Sequence, residues 1–356
     1  MEQVKTGKKI NGIVSFDLIK GIMMLAIIFM HSFNDHIRYW ELDYSANPMA
    51  YLLAPLKLGI YAFIPMFFMI SGYGFVPAAN KKRIKKKTFY ILKAYAIVAV
   101  IICAVSVLKK IISSESIIEA VKFRVVPFTL GICPGDREFA GFYIDSIGPV
   151  WFLLALMLAW LCLNFIMNMK TEWIKPFLIV ACVAFGMELG RRFLIPFCIP
   201  QSLVVTGYMY AGWYFKKNDV LEKPSGSLNM VILILIFVTI AVFGNVDISQ
   251  NVWELGAIDV IGTFIGGFLV LKASVYIEDI RLKAVKPIRT IGRYSFFILC
   301  VHTVEYTLIP WQEIVHKVTY NRITGVIIEF ILRSIIVFTG CFIVNKIARF
   351  IKSHSR

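Results

Sequence analysis

Long apolar runs alternate with short polar or basic stretches along nearly the whole chain. Each run has about 20 residues, enough for a helix to cross about 30 Å of hydrocarbon. Helices satisfy their backbone hydrogen bonds internally, which lipid requires. The pattern therefore predicts an all-α fold, a polytopic transmembrane helical bundle of about ten spans. The predicted spans are 14–34, 55–77, 88–108, 150–168, 176–190, 196–215, 227–243, 257–277, 294–311 and 325–348.

The composition supports a membrane protein. Hydrophobic residues make up 58% of the chain and charged residues 17%, whereas soluble domains have about 45–50% and about 25%. The net charge of +16 would suggest a nucleic-acid partner in a soluble protein. Here the basic residues cluster at the ends of the apolar runs, which indicates contact with membrane lipid and no nucleic acid. The seven cysteines form no CxxC pair, and we interpret them as small buried hydrophobic residues.

The distribution of Lys and Arg predicts the orientation. Most of them lie in connections on the same side as the N-terminus, so both termini are expected in the cytoplasm of a multi-pass protein of the cell membrane. The expected organisation is a cytoplasmic N-terminal segment (1–12), a single transmembrane domain (13–350) and a cytoplasmic tail (351–356). The first span lacks a small-residue cleavage site, so we expect it to be retained.

The first span carries three ionisable residues although it is apolar enough to enter a bilayer. Asp17 and Lys20 are three residues apart, and His31 follows on almost the same helical face about 16 Å further along. Ionisable groups are costly in hydrocarbon, so this stripe predicts a polar interior or a water-filled cavity. His31 is the candidate general base because imidazole titrates near neutrality. Lys20 is a candidate cation for phosphate or carboxylate.

Structural interpretations of the same residues stay open. Lys20 near a span end is typical of a lysine that extends its ammonium to the membrane surface, with Asp17 as its helical partner. A single histidine near a span end also fits a hydrogen-bonded position between helices. The common face of all three residues is what favours a site.

Further candidates lie in other spans. His302 and Glu305 share a helical face, and they form no zinc signature because no third ligand has a recognisable spacing. Ser71, in a Ser-Gly-Tyr-Gly stretch, is a candidate for lining a cavity, although helix packing explains the glycines equally well. Trp151 opens the fourth span, where an aromatic residue of the membrane interface is the default interpretation.

Five stretches in this order carry a resemblance to a known family. They are FDLIKGIMMLAIIFMH, IPMFFMISGYGF, the basic pair Arg83-x-x-Lys86, GPVWFLLAL and IGRYSFFILCVHT. The chain resembles the acyltransferase-3 family of integral-membrane O-acyltransferases. The family usually has arginine where this chain has Lys20 and Lys86, so the charge is kept but the bidentate guanidinium is not.

The resemblance implies transfer of an acyl group, most often acetyl, from cytosolic acyl-CoA to a hydroxyl of a cell-envelope or exported glycan. It implies catalytic roles for His31 and Asp17, and acetyl-CoA contacts for Lys20, Arg83 and Lys86. Residues that line the substrate cavity would be Ser71, Trp151, His302 and Glu305. The thioester supplies an activated acyl group, so no metal is expected.

Two other functions remain compatible with the sequence. One is a small-molecule or amino-acid transporter whose translocation path is the charged stripe; the absence of a recognisable inverted repeat argues mildly against it. The other is a non-catalytic membrane partner in a polysaccharide export assembly.

Overall fold

The computed structural model describes residues 10, 12–37, 54–113, 116–135, 137–139, 141–277 and 283–354. Within them the chain is almost entirely helical. The α-helices are α1 (Asp17–Ile37), α2 (Ala54–Tyr73), α3 (Lys81–Ile112), α4 (Ile117–Ala120), α5 (Val126–Leu130), α6 (Trp151–Met167), α7 (Ile174–Arg192), α8 (Ile199–Lys217), α9 (Ser227–Phe243), α10 (Ala257–Ile277), α11 (Lys286–Arg293), α12 (Ser295–Leu308), α13 (Trp311–His316) and α14 (Arg322–His354). The strands in the described residues form two short antiparallel pairs. These are β1 (Arg137–Phe139) with β2 (Phe142–Ile144), and β3 (Val246–Asp247) with β4 (Val252–Trp253).

The described residues contain five helices that are long and apolar enough to cross a membrane. They are Val14–Ile37, Lys81–Ile112, Gly148–Met167, Ala257–Ile277 and Arg322–Lys346. Three shorter apolar helices are Lys57–Tyr73, Ser227–Phe243 and Ser295–Leu308. A helical membrane protein is therefore confirmed. The count of ten spans, the cytoplasmic termini and the division of the chain at residues 13 and 350 stay predictions.

Helix α2 lies in the middle of the bundle, packed between α8 and α10. The contact with α8 is close because each helix contributes a glycine to it. A Cβ atom at Gly72 would overlap the carbonyl oxygen of Met209, and one at Gly212 would overlap that of Met69. Small residues allow helix backbones to approach in membranes, so this contact supports the packing interpretation of the Ser-Gly-Tyr-Gly stretch.

Helix α3 begins earlier than the sequence pattern predicts. Its first residue is Lys81, so the basic stretch 81–87, expected as a connection, forms the first two turns of the helix. The Asn80 side chain accepts a hydrogen bond from the Lys82 amide at 2.8 Å and caps the helix. Charged residues are compatible with a helix where the end of that helix is in water. A hydropathy pattern therefore locates the apolar part of α3 but not the basic residues with which α3 begins.

Contacts between aromatic side chains join several helix termini at one end of the bundle. The Phe16 ring, just before α1, lies 5.2 Å from the ring of Tyr73 at the end of α2. Phe75 follows α2 and lies 6.0 Å from Trp160 of α6, over which the Lys87 ammonium of α3 sits at 4.8 Å. We call this the basic end, because the first turns of α1 and α3 bring Lys20 and the stretch 81–87 to it. The C-terminal half of α1 leads to the opposite end.

Candidate functional site

Ionisable and aromatic side chains from α1, α12, α13 and α14 converge at the opposite end of the bundle. We call this group the histidine cluster; its members are His31, His302, Glu305, Tyr306, Trp311 and Arg333. The other five residues are all far from His31 in sequence, so the cluster exists only in the folded chain. The structure thus brings together the separate sequence candidates His31, His302 and Glu305.

Glu305 fixes the orientation of His302. One carboxylate oxygen of Glu305 lies 2.6 Å from Nδ1 of His302, and the other accepts a hydrogen bond from the Trp311 indole N–H at 2.6 Å. Both His302 and Glu305 are buried. A carboxylate at Nδ1 favours the tautomer whose proton is on that nitrogen, leaving Nε2 as an acceptor. This Nε2 is buried and has no hydrogen-bond partner in the structure.

His31 lies directly beside this oriented pair. Its ring centroid is 5.1 Å from the His302 ring and 4.6 Å from the Tyr306 ring. His31 is partly exposed, whereas His302 is fully buried. His31 is therefore the less buried of the two histidines, and His302 lies behind it.

Arg333 joins the cluster to a second group of acidic residues. Its guanidinium is 1% exposed and donates to Glu329 at 2.7 Å and to the carboxylate of Asp35. It also lies 3.6 Å from Glu305 and 5.3 Å above the rings of Tyr306 and Trp311. A buried cation is stable only when it is well paired, so Arg333 and these three carboxylates stabilise one another.

The basic end holds the other sequence candidates of the first span. Lys20 and Asp17 form an ion pair at 2.7 Å, and Arg293, at the end of α11, lies 3.5 Å from the second oxygen of Asp17. Helix α11 approaches α1 closely here, because a Cβ atom at Gly292 would overlap the carbonyl oxygen of Asp17. The carboxylate of Asp17 is buried and holds two cations at the rim of the bundle.

An apolar cluster separates Lys20 from His31. Its buried members are Met24 and Ile28 of α1, Ile298 of α12 and Val337 of α14, and Phe67 of α2 packs against it. Lys20 and His31 are about 16 Å apart along the helix. The two ends therefore present different environments, one cationic and one centred on imidazole and carboxylate.

The remaining sequence candidates lie elsewhere. Ser71 donates a hydrogen bond at 3.0 Å to the carbonyl of Phe67 in its own helix, and it is partly exposed. Trp151 is buried in the bundle, with its ring 6.0 Å from Phe68. Arg83 and Lys86 are exposed on the first turns of α3. Their proposed roles stay predictions.

Sequence reasoning missed the partners of Arg333. The position was noticeable as a charge within an apolar span, and Glu329 lies four residues earlier on the same helical face, which was the available signal. Asp35 and His36 were expected in a polar connection, but α1 continues to Ile37 and places both within the last turn. His36 lies 2.8 Å from Glu329, so this last turn is tied to α14.

No group of three or more His, Cys, Asp or Glu side chains in the described part of the chain is arranged to hold a metal ion. In particular, Glu305 uses both of its oxygens on His302 and Trp311.

Comparison with protein families decides which class of protein carries this arrangement. A family model described as an acyltransferase domain, Acyl_transf_3, matches residues 13–346. The chain belongs to the acyltransferase-3 family. The match includes both the basic end and the histidine cluster, and it identifies the protein as a membrane acyltransferase. No curated protein and no solved structure shows a significant match to the chain.

Proposed function

We propose that this acyltransferase-3 protein moves an acetyl group from cytosolic acetyl-CoA to a hydroxyl of a cell-envelope or exported glycan. The observation that carries the proposal is the position of His31, which is partly exposed and in contact with a histidine that a buried carboxylate orients. This arrangement suits removal of a proton from an attacking hydroxyl.

The basic end would receive the donor. Lys20 is 13% exposed and supplies a positive charge at the rim, with Arg293 next to it on the shared carboxylate of Asp17. Arg83 and Lys86 add exposed positive charge at the same end. Phosphate groups of CoA carry the complementary charge. This proposal puts the basic end at the cytoplasmic face of a cell membrane, as the distribution of Lys and Arg predicts.

The apolar region between the two ends would accept the pantetheine arm. Phe67 and Ser71 are one turn apart on α2 and partly exposed, as is Ile27 on α1. An arm that passes these side chains would bring the thioester towards His31. In this arrangement Ser71 and the apolar side chains position the donor, and His31 acts at the reacting atoms.

The chemical step then needs one base. The acceptor hydroxyl oxygen attacks the thioester carbonyl carbon while His31 takes the hydroxyl proton; the C–S bond breaks, and the CoA sulfur leaves and receives that proton. His302 and Glu305 would hold His31 in position and stabilise its protonated form. Asp17 is too far along α1 to act at this step, so we assign it to the orientation of Lys20.

The test is transfer by the purified protein in detergent. Acetyl-CoA labelled in its acetyl group is supplied with the saccharide fraction of a cell envelope, and free thiol and labelled saccharide are measured together. We expect equal amounts of both products, with thiol release dependent on saccharide. Thiol release without labelled saccharide would reject the glycan acceptor. If neither free thiol nor labelled saccharide forms, acetyl transfer itself is rejected. Uptake of an unmodified solute by vesicles without acyl-CoA would instead favour a transporter.

Replacing Lys20 with methionine is expected to raise the KM for acetyl-CoA about ten-fold, with a smaller change in kcat. The reason is loss of one charge-assisted contact with a phosphate group, which is typically worth about 1.5–3 kcal/mol. Steady-state rates at several acetyl-CoA concentrations measure the effect. Lys317→Met is the control, since it removes an exposed lysine beyond α13. An unchanged KM for acetyl-CoA in the Lys20 variant would remove Lys20 from the donor site.

A further inference from the structure

A polar cavity opens beside the histidine cluster, and none of the six residues of that cluster lines it. It has a volume of about 340 Å³, within the size range of small-ligand sites. Its lining comes from the last turn of α1, from α13, from the connection between α13 and α14, and from the first residue of α14. The residues that matter here are Asp35, His36, Gln312, His316, Tyr320 and Asn321.

An aromatic surface forms one wall of the cavity. The ring of Tyr320 is stacked on the ring of His316, with centroids 5.8 Å apart and planes inclined by 22°. Tyr320 is 86% exposed, so one face of this stack is open to a ligand. An exposed aromatic ring provides a flat apolar face together with a polar hydroxyl.

Groups that form hydrogen bonds surround this surface. Gln312 donates to the backbone carbonyl of Asp35 through its amide nitrogen, and the Asn321 side-chain oxygen caps α14 at 3.0 Å from the Thr324 amide. Side-chain amides carry both donors and acceptors. The cavity also contains one carboxylate, Asp35, and one guanidinium, Arg322, so it has no excess of either charge.

We propose that this cavity binds a saccharide, the part of the acceptor that carries or adjoins the reacting hydroxyl; the inference rests on the proposed acyl transfer. A pyranose ring has an apolar C–H face that fits an aromatic surface and a rim of hydroxyls that fits amides and a carboxylate. Neutral polar lining and an open aromatic face together favour such a ligand over an anion or an apolar molecule.

The cavity is connected to the proposed base through ion pairs. Asp35 lies one helical turn after His31, about 6 Å along the axis. It pairs with Arg333, which lies 3.6 Å from Glu305, the partner of His302. A saccharide in the cavity would therefore contact Asp35, which lies one helical turn from His31 and is a member of the ion-pair network that reaches Glu305.

The mouth of the cavity also has apolar neighbours. Ile314, Val318 and Ile323 are exposed on and beside α13 and the start of α14. They would contact lipid if the acceptor is carried on a lipid, and they would be unimportant for a water-soluble saccharide. Lipid-linked and water-soluble saccharides are therefore both needed to test the cavity.

The test compares Tyr320→Ala with wild type in the acetyl-transfer assay. The acceptors are two envelope fractions, water-soluble saccharides and lipid-extracted saccharides, each titrated to saturation. Loss of the aromatic face is expected to raise the half-saturating acceptor concentration about ten-fold. The KM for acetyl-CoA should stay at the wild-type value. The fraction whose titration shifts identifies the source of the saccharide.

Matched variants keep the result interpretable. Tyr320→Phe retains the aromatic face and should behave as wild type, as should Tyr276→Ala, which removes another exposed tyrosine, from α10. Asn321→Ser keeps an oxygen to cap α14 and should raise the half-saturating concentration several-fold. If wild type transfers label but Tyr320→Ala and Asn321→Ser show wild-type half-saturation, the cavity assignment is wrong. If wild type labels no saccharide, the proposed function fails first.

Discussion

Replacing His31 with alanine is expected to lower acetyl transfer by about 10²–10⁴-fold, the usual contribution of a general base. The prediction depends on the position of the side chain in the histidine cluster. His31 contacts both His302 and Tyr306, and it is the less buried of the two histidines. Without it, the hydroxyl must lose its proton to water in a site where acidic groups are already paired.

The measurement is initial rate of labelled saccharide formation at saturating acetyl-CoA and acceptor. Because the loss is in the chemical step, kcat should fall while the KM for acetyl-CoA changes little. His354→Ala, at the C-terminal end of α14, is the matched control and should retain the wild-type rate. His31→Gln keeps a polar side chain of similar size and separates loss of the base from loss of packing. A His31→Ala variant that is folded and transfers at the wild-type rate would contradict the assignment.

The sequence was sufficient to predict the helical fold and the position of several helices, because hydrophobic patterning marks apolar helices directly. Span eight, predicted at 257–277, coincides with α10, and span seven, predicted at 227–243, coincides with α9. Errors occurred where a helix extends beyond its apolar part. Helix α3 begins with the basic stretch 81–87, and α1 continues to Ile37, because helical hydrogen bonding persists where the side chains become polar.

The candidate site was only partly predictable. The stripe in the first span and the His302/Glu305 pair each followed from helical spacing, which is a local property. That the two sets meet is a consequence of how α1, α12 and α14 pack, and a single sequence contains no direct signal for such a contact. The family resemblance implied that the stretches containing His31 and His302 serve the same function. In the structure the two side chains are in contact.

Arg333 shows the same limit. Its partners come from α1, α12 and its own helix, so spacing within a single span cannot reveal most of them. The structure explains its presence by three carboxylates, of which only Glu329 lies within one turn. The position is therefore the best place to measure how far the cluster stabilises the whole fold.

Replacing Arg333 with methionine is expected to lower the free energy of unfolding by about 3–5 kcal/mol, the cost of removing one partner from a buried ion pair. Asp35, Glu329 and Glu305 would lose their common cation, and two of them, Glu329 and Glu305, are buried. Methionine fills much of the same volume, so the loss comes from charge and hydrogen bonding rather than from a cavity. Unfolding of the purified protein in detergent, followed by helical circular dichroism during a denaturant titration, measures the change.

Two variants distinguish this explanation from a general sensitivity to losing an arginine. Arg192→Met breaks the 2.9 Å pair with Glu188 at the exposed end of α7, where both side chains are more than half exposed, and should cost less than about 1 kcal/mol. Adding Glu329→Gln to Arg333→Met should recover part of the loss, because one unpaired buried carboxylate is removed. Equal losses for Arg333→Met and Arg192→Met, or a double variant less stable than Arg333→Met, would show that the carboxylates do not depend on this cation. A larger loss for Arg333→Met, with partial recovery in the double variant, would identify the ion pairs as what holds α1, α12 and α14 together around His31.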